Sequence, residues 1–75
     1  MSEQMTVSAQ LQAALDSRII IEQAKGYLAH RRDTGVEEAF TLMRRYARSH
    51  QMRLTEIARQ VLQGTADASL LRRDP

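Results

Sequence analysis

The segment IIIEQAKGYL, residues 19–28, lies in the middle of a long stretch with helical periodicity. Its apolar residues Ile21, Ala24 and Leu28 recur at spacings of three and four, which places them on one face of an α-helix. Helix-breaking residues are scarce around it, because Gly26 and Gly35 are the only glycines between residues 9 and 63. The sequence therefore predicts a first helix over residues 9–32.

Two further helices are predicted after a break at residues 33–35, where Gly35 suits the left-handed position that follows a helix. The second helix begins near Val36, and a turn over residues 49–52 separates it from a third helix over residues 53–63. No alternating pattern typical of β-strands occurs. The expected fold is all-α: a three-helix bundle over residues 9–63, between a flexible N-terminus (residues 1–8) and a mobile C-terminal tail (residues 64–75).

The first helix carries a second apolar face, formed by Leu11, Leu15 and Ile19. A helix with two apolar faces needs two packing partners, and the rest of this chain covers only one of them. We expect a second copy to cover the other face through a short coiled coil, so these three residues are the predicted dimer contact. The alternative is a monomer in which the N-terminal turns fray and the three side chains stay half exposed.

Composition limits the possible chemistry. A chain of 75 residues allows one small domain, and the absence of cysteine excludes disulfides, iron–sulfur clusters and thiolate zinc sites. The two histidines have no obvious catalytic partner, and no glycine-rich phosphate loop occurs, so we expect no enzyme, no cofactor and no metal. No apolar run approaches the ~20 residues of a membrane span, and no signal peptide is visible. We therefore expect a cytoplasmic protein that does not enter a membrane.

The basic residues are almost all arginine: Lys25 is the only lysine among eleven. Arginine suits phosphates and guanine edges, although a GC-rich genome produces the same bias. Position is more informative, since Thr41, Arg44, Arg45 and Arg48 occupy an arc of about 100° on the second helix. This arc is a candidate surface for nucleic acid.

Three motifs point to a known family: Glu22-Gln23-Ala24-Lys25-Gly26, Glu38-Ala39-Phe40 and Leu54-x-x-Ile57-Ala58. Together they resemble the ANTAR domain over residues 11–63. The resemblance implies an RNA-binding regulator of bacterial transcription antitermination, which acts in pairs on two tandem stem-loops in a leader mRNA and prevents a terminator hairpin from forming. Relatives usually carry a receiver or ligand-sensing domain ahead of this one. Only about ten residues precede the first helix here, so we expect a protein that is constitutive, is controlled by its own abundance, or acts with a separate signalling protein.

Hairpin loops expose unstacked bases, which proteins recognise by stacking and by hydrogen bonds to base edges, while Lys and Arg bind the phosphates. Gly26 costs a helix about 1 kcal/mol relative to alanine, and close approach of another backbone, protein or RNA, would explain it. Tyr46 flanks the arginines and either stacks on a base or lies at the edge of the core. The predicted RNA-binding residues are Arg18, Lys25, Gly26, Thr41, Arg44, Arg45, Arg48, Arg53, Thr55 and Arg59.

Two other functions stay open at this point. The second and third helices resemble a helix-turn-helix, whose third helix would enter the major groove of DNA. Its outer face would then consist of Thr55, Glu56, Arg59, Gln60 and Gln63. The other possibility is a helical adaptor that binds proteins through its two apolar faces, in which case neutralising the arginines of the second helix would leave binding unchanged.

Overall fold

The structure is a computed structural model that describes the backbone of residues 2–72 and the side chains of Leu11 and residues 15–72. It contains four helices: α1 (Ser2–Arg32), α2 (Val36–Ser49), α3 (Leu54–Gln63) and α4 (Ala68–Leu71). Residues 2–72 include no β-strand, so the predicted all-α helical bundle is confirmed. Within this described part, no helix has the length and apolar character that a membrane span requires.

The start of α1 differs from the sequence-based expectation. The helix begins at Ser2 rather than at residue 9, so residues 2–8, predicted to be flexible, are helical. This segment contains neither glycine nor proline, and nothing in it stops a helix that the following residues already favour. With 31 residues α1 is about 46 Å long. It therefore spans most of the 55 Å long axis of the molecule.

The core lies where α1, α2 and α3 meet. Its largest fully buried side chains are Leu28 of α1, Met43 of α2, and Ile57 and Val61 of α3. Alanines fill the close contacts between the helices, among them Ala24, Ala39 and Ala58. These positions follow the predicted spacings of three and four, since that period keeps one face of each helix turned inward.

The first three helices all end in the same way, with one residue in the left-handed conformation. These residues are Asp33 (φ 56°), Gln51 (φ 54°) and Gly64 (φ 77°). In each case the next amide donates back across the turn: Thr34 N–H to Ala29 O (2.9 Å), Met52 N–H to Ala47 O (2.8 Å) and Thr65 N–H to Gln60 O (2.9 Å). This is the Schellman arrangement, which satisfies carbonyl groups that a helix end otherwise leaves free.

The predicted role of Gly35 is therefore wrong. Gly35 has extended backbone angles (φ −76°, ψ 159°) and is the N-cap of α2. The left-handed position belongs to Asp33, because α1 ends at Arg32 and the reversal follows immediately. Aspartate tolerates this conformation better than most residues, so no glycine is needed there.

Residues 64–72, which the sequence analysis placed in a mobile tail, fold back onto the bundle. Asp67 caps α4, since its Oδ1 accepts hydrogen bonds from the backbone N–H (2.8 Å) and the hydroxyl (2.7 Å) of Ser69. These two hydrogen bonds lower the pKa of Asp67 below its ordinary 3.8. Leu70 and Leu71 are buried and extend the core.

Arg32 holds α4 against the end of α1. Its guanidinium Nη1 donates to three backbone carbonyl oxygens, those of Ser69 (3.2 Å), Leu70 (2.8 Å) and Arg72 (2.6 Å). A cation is favourable at this point because the carbonyls of a helix C-terminus carry partial negative charge. The short fourth helix thus depends on a residue of α1 that lies more than 35 positions earlier in the sequence.

Candidate nucleic-acid interface

The exposed flank of α2 carries the surface that we call the cationic strip, namely Thr41, Arg44, Arg45 and Arg48. These four side chains line an open depression of about 230 Å³. They converge because residues three, four and seven apart lie on one side of an α-helix. All three arginines are exposed.

The positive charges of the strip are available to a ligand. Among the described side chains, no carboxylate pairs with Arg44, Arg45 or Arg48. Thr41 is less free, because its hydroxyl donates to the backbone oxygen of Glu37 at 3.0 Å. Its oxygen still has capacity to accept a hydrogen bond. The strip therefore offers three guanidinium donors and one hydroxyl acceptor to a polyanion.

Lys25 of α1 joins the strip through an aromatic ring. Its Nζ lies 4.4 Å from the centre of the Phe40 ring, and Cζ of Arg44 lies 4.8 Å from the same centre. Both distances are within the range of cation–π attraction. The Lys25 side chain is only 13% exposed, and its Nζ also pairs with Glu22 at 3.2 Å. Phe40 thus holds two cations from different helices close together.

Phe40 was not among the predicted site residues. The structure leaves it half-buried on α2, with Lys25 of α1 against its ring. A signal was present, because Phe40 precedes Arg44 by four residues and that spacing brings two side chains together on a helix. Val36, the first residue of the same helix, is exposed although it is apolar.

A second depression, the α2–α4 groove, lies beside the strip and has a volume of about 200 Å³. Its walls are formed by Leu42, Arg45, Tyr46, Ser49, Ser69 and Leu70. Tyr46 is half-buried against the core, and its ring stacks on that of His50 with centroids 3.9 Å apart and an interplanar angle of 14°. Part of Tyr46 thus packs at the core edge while part of it remains accessible.

Four other predicted RNA-binding residues lie outside both depressions. Arg18 is exposed on α1, two turns or about 10 Å along the axis from Lys25. Arg53 is the exposed N-cap of α3, and within that helix Thr55 is partly exposed and Arg59 fully so. The structure therefore brings Lys25 together with the strip but leaves these residues as separate surface positions.

Gly26 lies on an exposed part of α1, and a Cβ atom built there meets no atom within 4 Å. The nearby apolar face is also open: Leu11, Leu15 and Ile19 are 62%, 57% and 53% exposed. At about 100° per residue, Gly26 projects between Leu15 and Ile19 on the helical wheel. Leu11, Leu15, Ile19 and Gly26 are thus exposed positions on one side of α1, which we call the α1 face.

Among the side chains that the structure describes, no three His, Cys, Asp or Glu groups lie close enough together to hold a metal ion. The described side chains provide exposed guanidinium groups, a lysine held on an aromatic ring, and an adjoining apolar groove. This combination of groups can bind a polyanion. Arginine-rich surfaces with aromatic neighbours are suited to the phosphates and bases of RNA.

One family model matches most of the chain. The model of the ANTAR domain, an RNA-binding regulatory domain found in antitermination proteins, matches residues 9–62. No curated protein and no solved structure is significantly similar to the chain. The matched segment includes α2, all but the last residue of α3 and most of α1, and it contains the whole cationic strip. Because the match covers well over half of the sequence, the chain belongs to the ANTAR domain family.

Proposed function

We propose that this protein is a regulator of transcription antitermination in the bacterial cytoplasm, which binds tandem stem-loops in leader mRNA and so prevents a terminator hairpin from forming. The observation that carries the proposal is the cationic strip: three exposed arginines, unpaired among the described side chains, within an ANTAR domain.

The strip supports RNA binding on physical grounds. Arg44, Arg45 and Arg48 lie on one side of α2 within about one helical turn, so they can contact successive phosphates of a loop. Three such contacts to single-stranded RNA give a slope of log affinity against log salt of about −2. Lys25 adds a fourth cation, whose ammonium group Phe40 and Glu22 hold beside Arg44.

We further propose that the protein acts as a homodimer, formed either in solution or on the RNA, through the α1 face. Leu11, Leu15 and Ile19 follow the spacing of four that brings apolar side chains together along one side of a helix. Two copies would present two strips, one for each hairpin. Because the second hairpin then binds intramolecularly, tandem RNA binds more tightly than a single hairpin.

The test begins with stem-loops that the wild-type protein selects from a pool with randomised loops, measured by gel shift at one fixed salt concentration. Arg48→Gln is expected to weaken binding about tenfold, in the range measured for hydrogen bonds to charged groups. Arg31→Gln is the matched control: it removes the same charge from an exposed position outside the predicted site. Equal effects of the two variants, or equal affinity for a DNA duplex, would refute the proposal.

A second pair of variants tests the dimer. The double substitution Leu11→Ser with Leu15→Ser is expected to reduce affinity for tandem hairpins more than affinity for a single hairpin. Val36→Ser is the control, since Val36 is an exposed apolar residue outside the α1 face. Equal losses for tandem and single hairpins would show that the α1 face does not pair two copies.

A further inference from the structure

The α2–α4 groove has one wall that lies beyond the family match. Leu42, Arg45 and Tyr46 belong to the segment that matches the ANTAR model, whereas Ser69 and Leu70 follow its end at residue 62. These last two residues are in place because Arg32 and Asp67 fix α4 at its two ends. The groove is thus a feature of this chain rather than of the matched domain alone.

The groove is continuous with the cationic strip through Arg45, which lines both depressions. Viewed along α2, Arg44 lies about 60° from Thr41 on the side of Phe40, and Arg45 lies about 40° from Thr41 on the opposite side. Leu42 and Ser49 follow at about 100° and 80° on that second side. A chain of phosphates resting on the strip would therefore pass along the mouth of the groove.

We propose that the α2–α4 groove binds one unpaired base of the RNA whose phosphates lie on the cationic strip. This inference rests on the proposed RNA-binding function and adds a base-recognition site to it. Leu42, Leu70 and the accessible part of Tyr46 supply apolar surface for the planar faces of the base. Arg45 at the mouth supplies hydrogen-bond donors and a positive charge for the attached phosphate.

Ser69, at the rim of the groove, can form a hydrogen bond with the edge of the base. Ser69 already donates its hydroxyl hydrogen to Asp67 at 2.7 Å, so what it offers to a ligand is an acceptor oxygen. An acceptor there suits the N–H groups on a base edge. The groove therefore presents an acceptor on the α4 side and a guanidinium donor on the α2 side.

A second copy of this chain is the less suitable occupant. The large apolar side chains that a partner would cover lie on α1, at Leu11, Leu15 and Ile19. The groove has a volume of about 200 Å³ and borders directly on exposed arginines, which repel the same surface of another copy. Charge complementarity thus favours a nucleotide.

The experiment fills the groove and removes bases one at a time. Ser69→Trp places an indole in the groove from α4, and the cap survives because Asp67 still accepts from the backbone N–H of residue 69. Ala68→Trp is the matched control, since Ala68 is an exposed neighbour that does not line the groove. Each protein is titrated with the hairpin selected by the wild type and with copies that are abasic at one loop position each.

One abasic position is expected to weaken wild-type binding roughly tenfold. Ser69→Trp should weaken binding of the intact hairpin by a similar factor. Its affinity should not fall further for the hairpin that is abasic at that position, because the indole already keeps the base out of the groove. Ala68→Trp should behave as the wild type. Thermal unfolding shows whether the substitution destabilises the fold. If Ser69→Trp lowers Tm, Ser49→Trp is used instead, because it fills the same groove from α2.

Three results would overturn the inference. If both filled variants bind the hairpin as tightly as the wild type does, the groove is empty in the complex. The same conclusion follows if every abasic position weakens binding of the filled variants as much as it weakens binding of the wild type. A change in the oligomeric state of Ser69→Trp without RNA shows that the groove contacts a second copy. If the wild type selects no hairpin at all, the proposed function itself is refuted. That failure is distinguishable from the three results above, which concern the groove alone.

Discussion

Replacing Gly26 by alanine is expected to move stability and RNA binding in opposite directions. Gly26 lies in the interior of α1, where alanine is favoured over glycine by about 1 kcal/mol. The added methyl group meets no atom within 4 Å, so no steric term offsets this gain. For a domain of this size, 1 kcal/mol corresponds to a rise in Tm of roughly 4–8 °C.

The same methyl group would obstruct any backbone that approaches α1 at this point. We therefore expect Gly26→Ala to unfold at a higher temperature in the absence of RNA and to bind tandem hairpins more weakly. Circular dichroism melts measure the first effect, and gel shifts with tandem and single hairpins measure the second. Gln23→Ala is the control, because it changes an exposed residue of the same helix without removing a glycine and should alter either quantity only slightly.

Two results would refute this reasoning. A Tm that stays the same or falls would mean that α1 is not an exposed regular helix at residue 26. A higher Tm with unchanged affinity for both RNAs would mean that neither RNA nor a second copy approaches Gly26 closely. The glycine would then have no role in binding.

Four further predictions follow from the contacts described above. Phe40→Leu keeps apolar packing but removes the ring that holds two cations, so RNA affinity should fall about two- to fivefold, while Phe40→Tyr should retain it in the same gel shift. Gln51→Gly puts glycine at a position with left-handed backbone angles, which glycine adopts without strain, so the free energy of unfolding should rise by about 0.5–1 kcal/mol in urea titrations. An unchanged urea midpoint would contradict the positive φ angle of residue 51. Arg32→Gln leaves helix-end carbonyls without a cation and should destabilise the fold by about 1–2 kcal/mol, with faster hydrogen exchange confined to α4 and the end of α1. The hydrogen bonds to Asp67 lower its pKa, so the stability that it contributes is complete above pH 3.8 and is lost as the pH falls through the folded-state pKa; Asp67→Asn should abolish this part of the pH dependence of unfolding.

The sequence predicted best what depends on periodicity. The bounds of α2, the end of α1 and the inward faces of the first three helices follow from spacings of three and four. The predicted start of α1 was wrong for a related reason. Where no capping or helix-breaking residue marks a boundary, periodicity alone does not show where a helix begins. Gly35 was misassigned because the sequence does not show whether Asp33 or Gly35 takes the left-handed angles.

The features that the sequence did not predict depend on contacts between distant residues. A helix of four residues is too short to show a period, and α4 is fixed by Arg32, which is distant in the sequence but in direct contact with α4. Phe40 is half-buried and lies against Lys25 of α1, a contact that only the packing of α1 against α2 decides. The RNA-binding and dimer residues stay predictions, because exposure and charge allow a contact without demonstrating one.

The short connections of the bundle have a consequence for timing. Three residues join α1 to α2, four join α2 to α3, and each Schellman turn closes within a few residues of its helix end. Helical proteins dominated by such local contacts fold in microseconds to milliseconds. Chain synthesis, at about 5–20 residues per second, takes several seconds for this protein. If abundance is the signal, folding therefore adds almost no delay to the time that synthesis of these 75 residues takes.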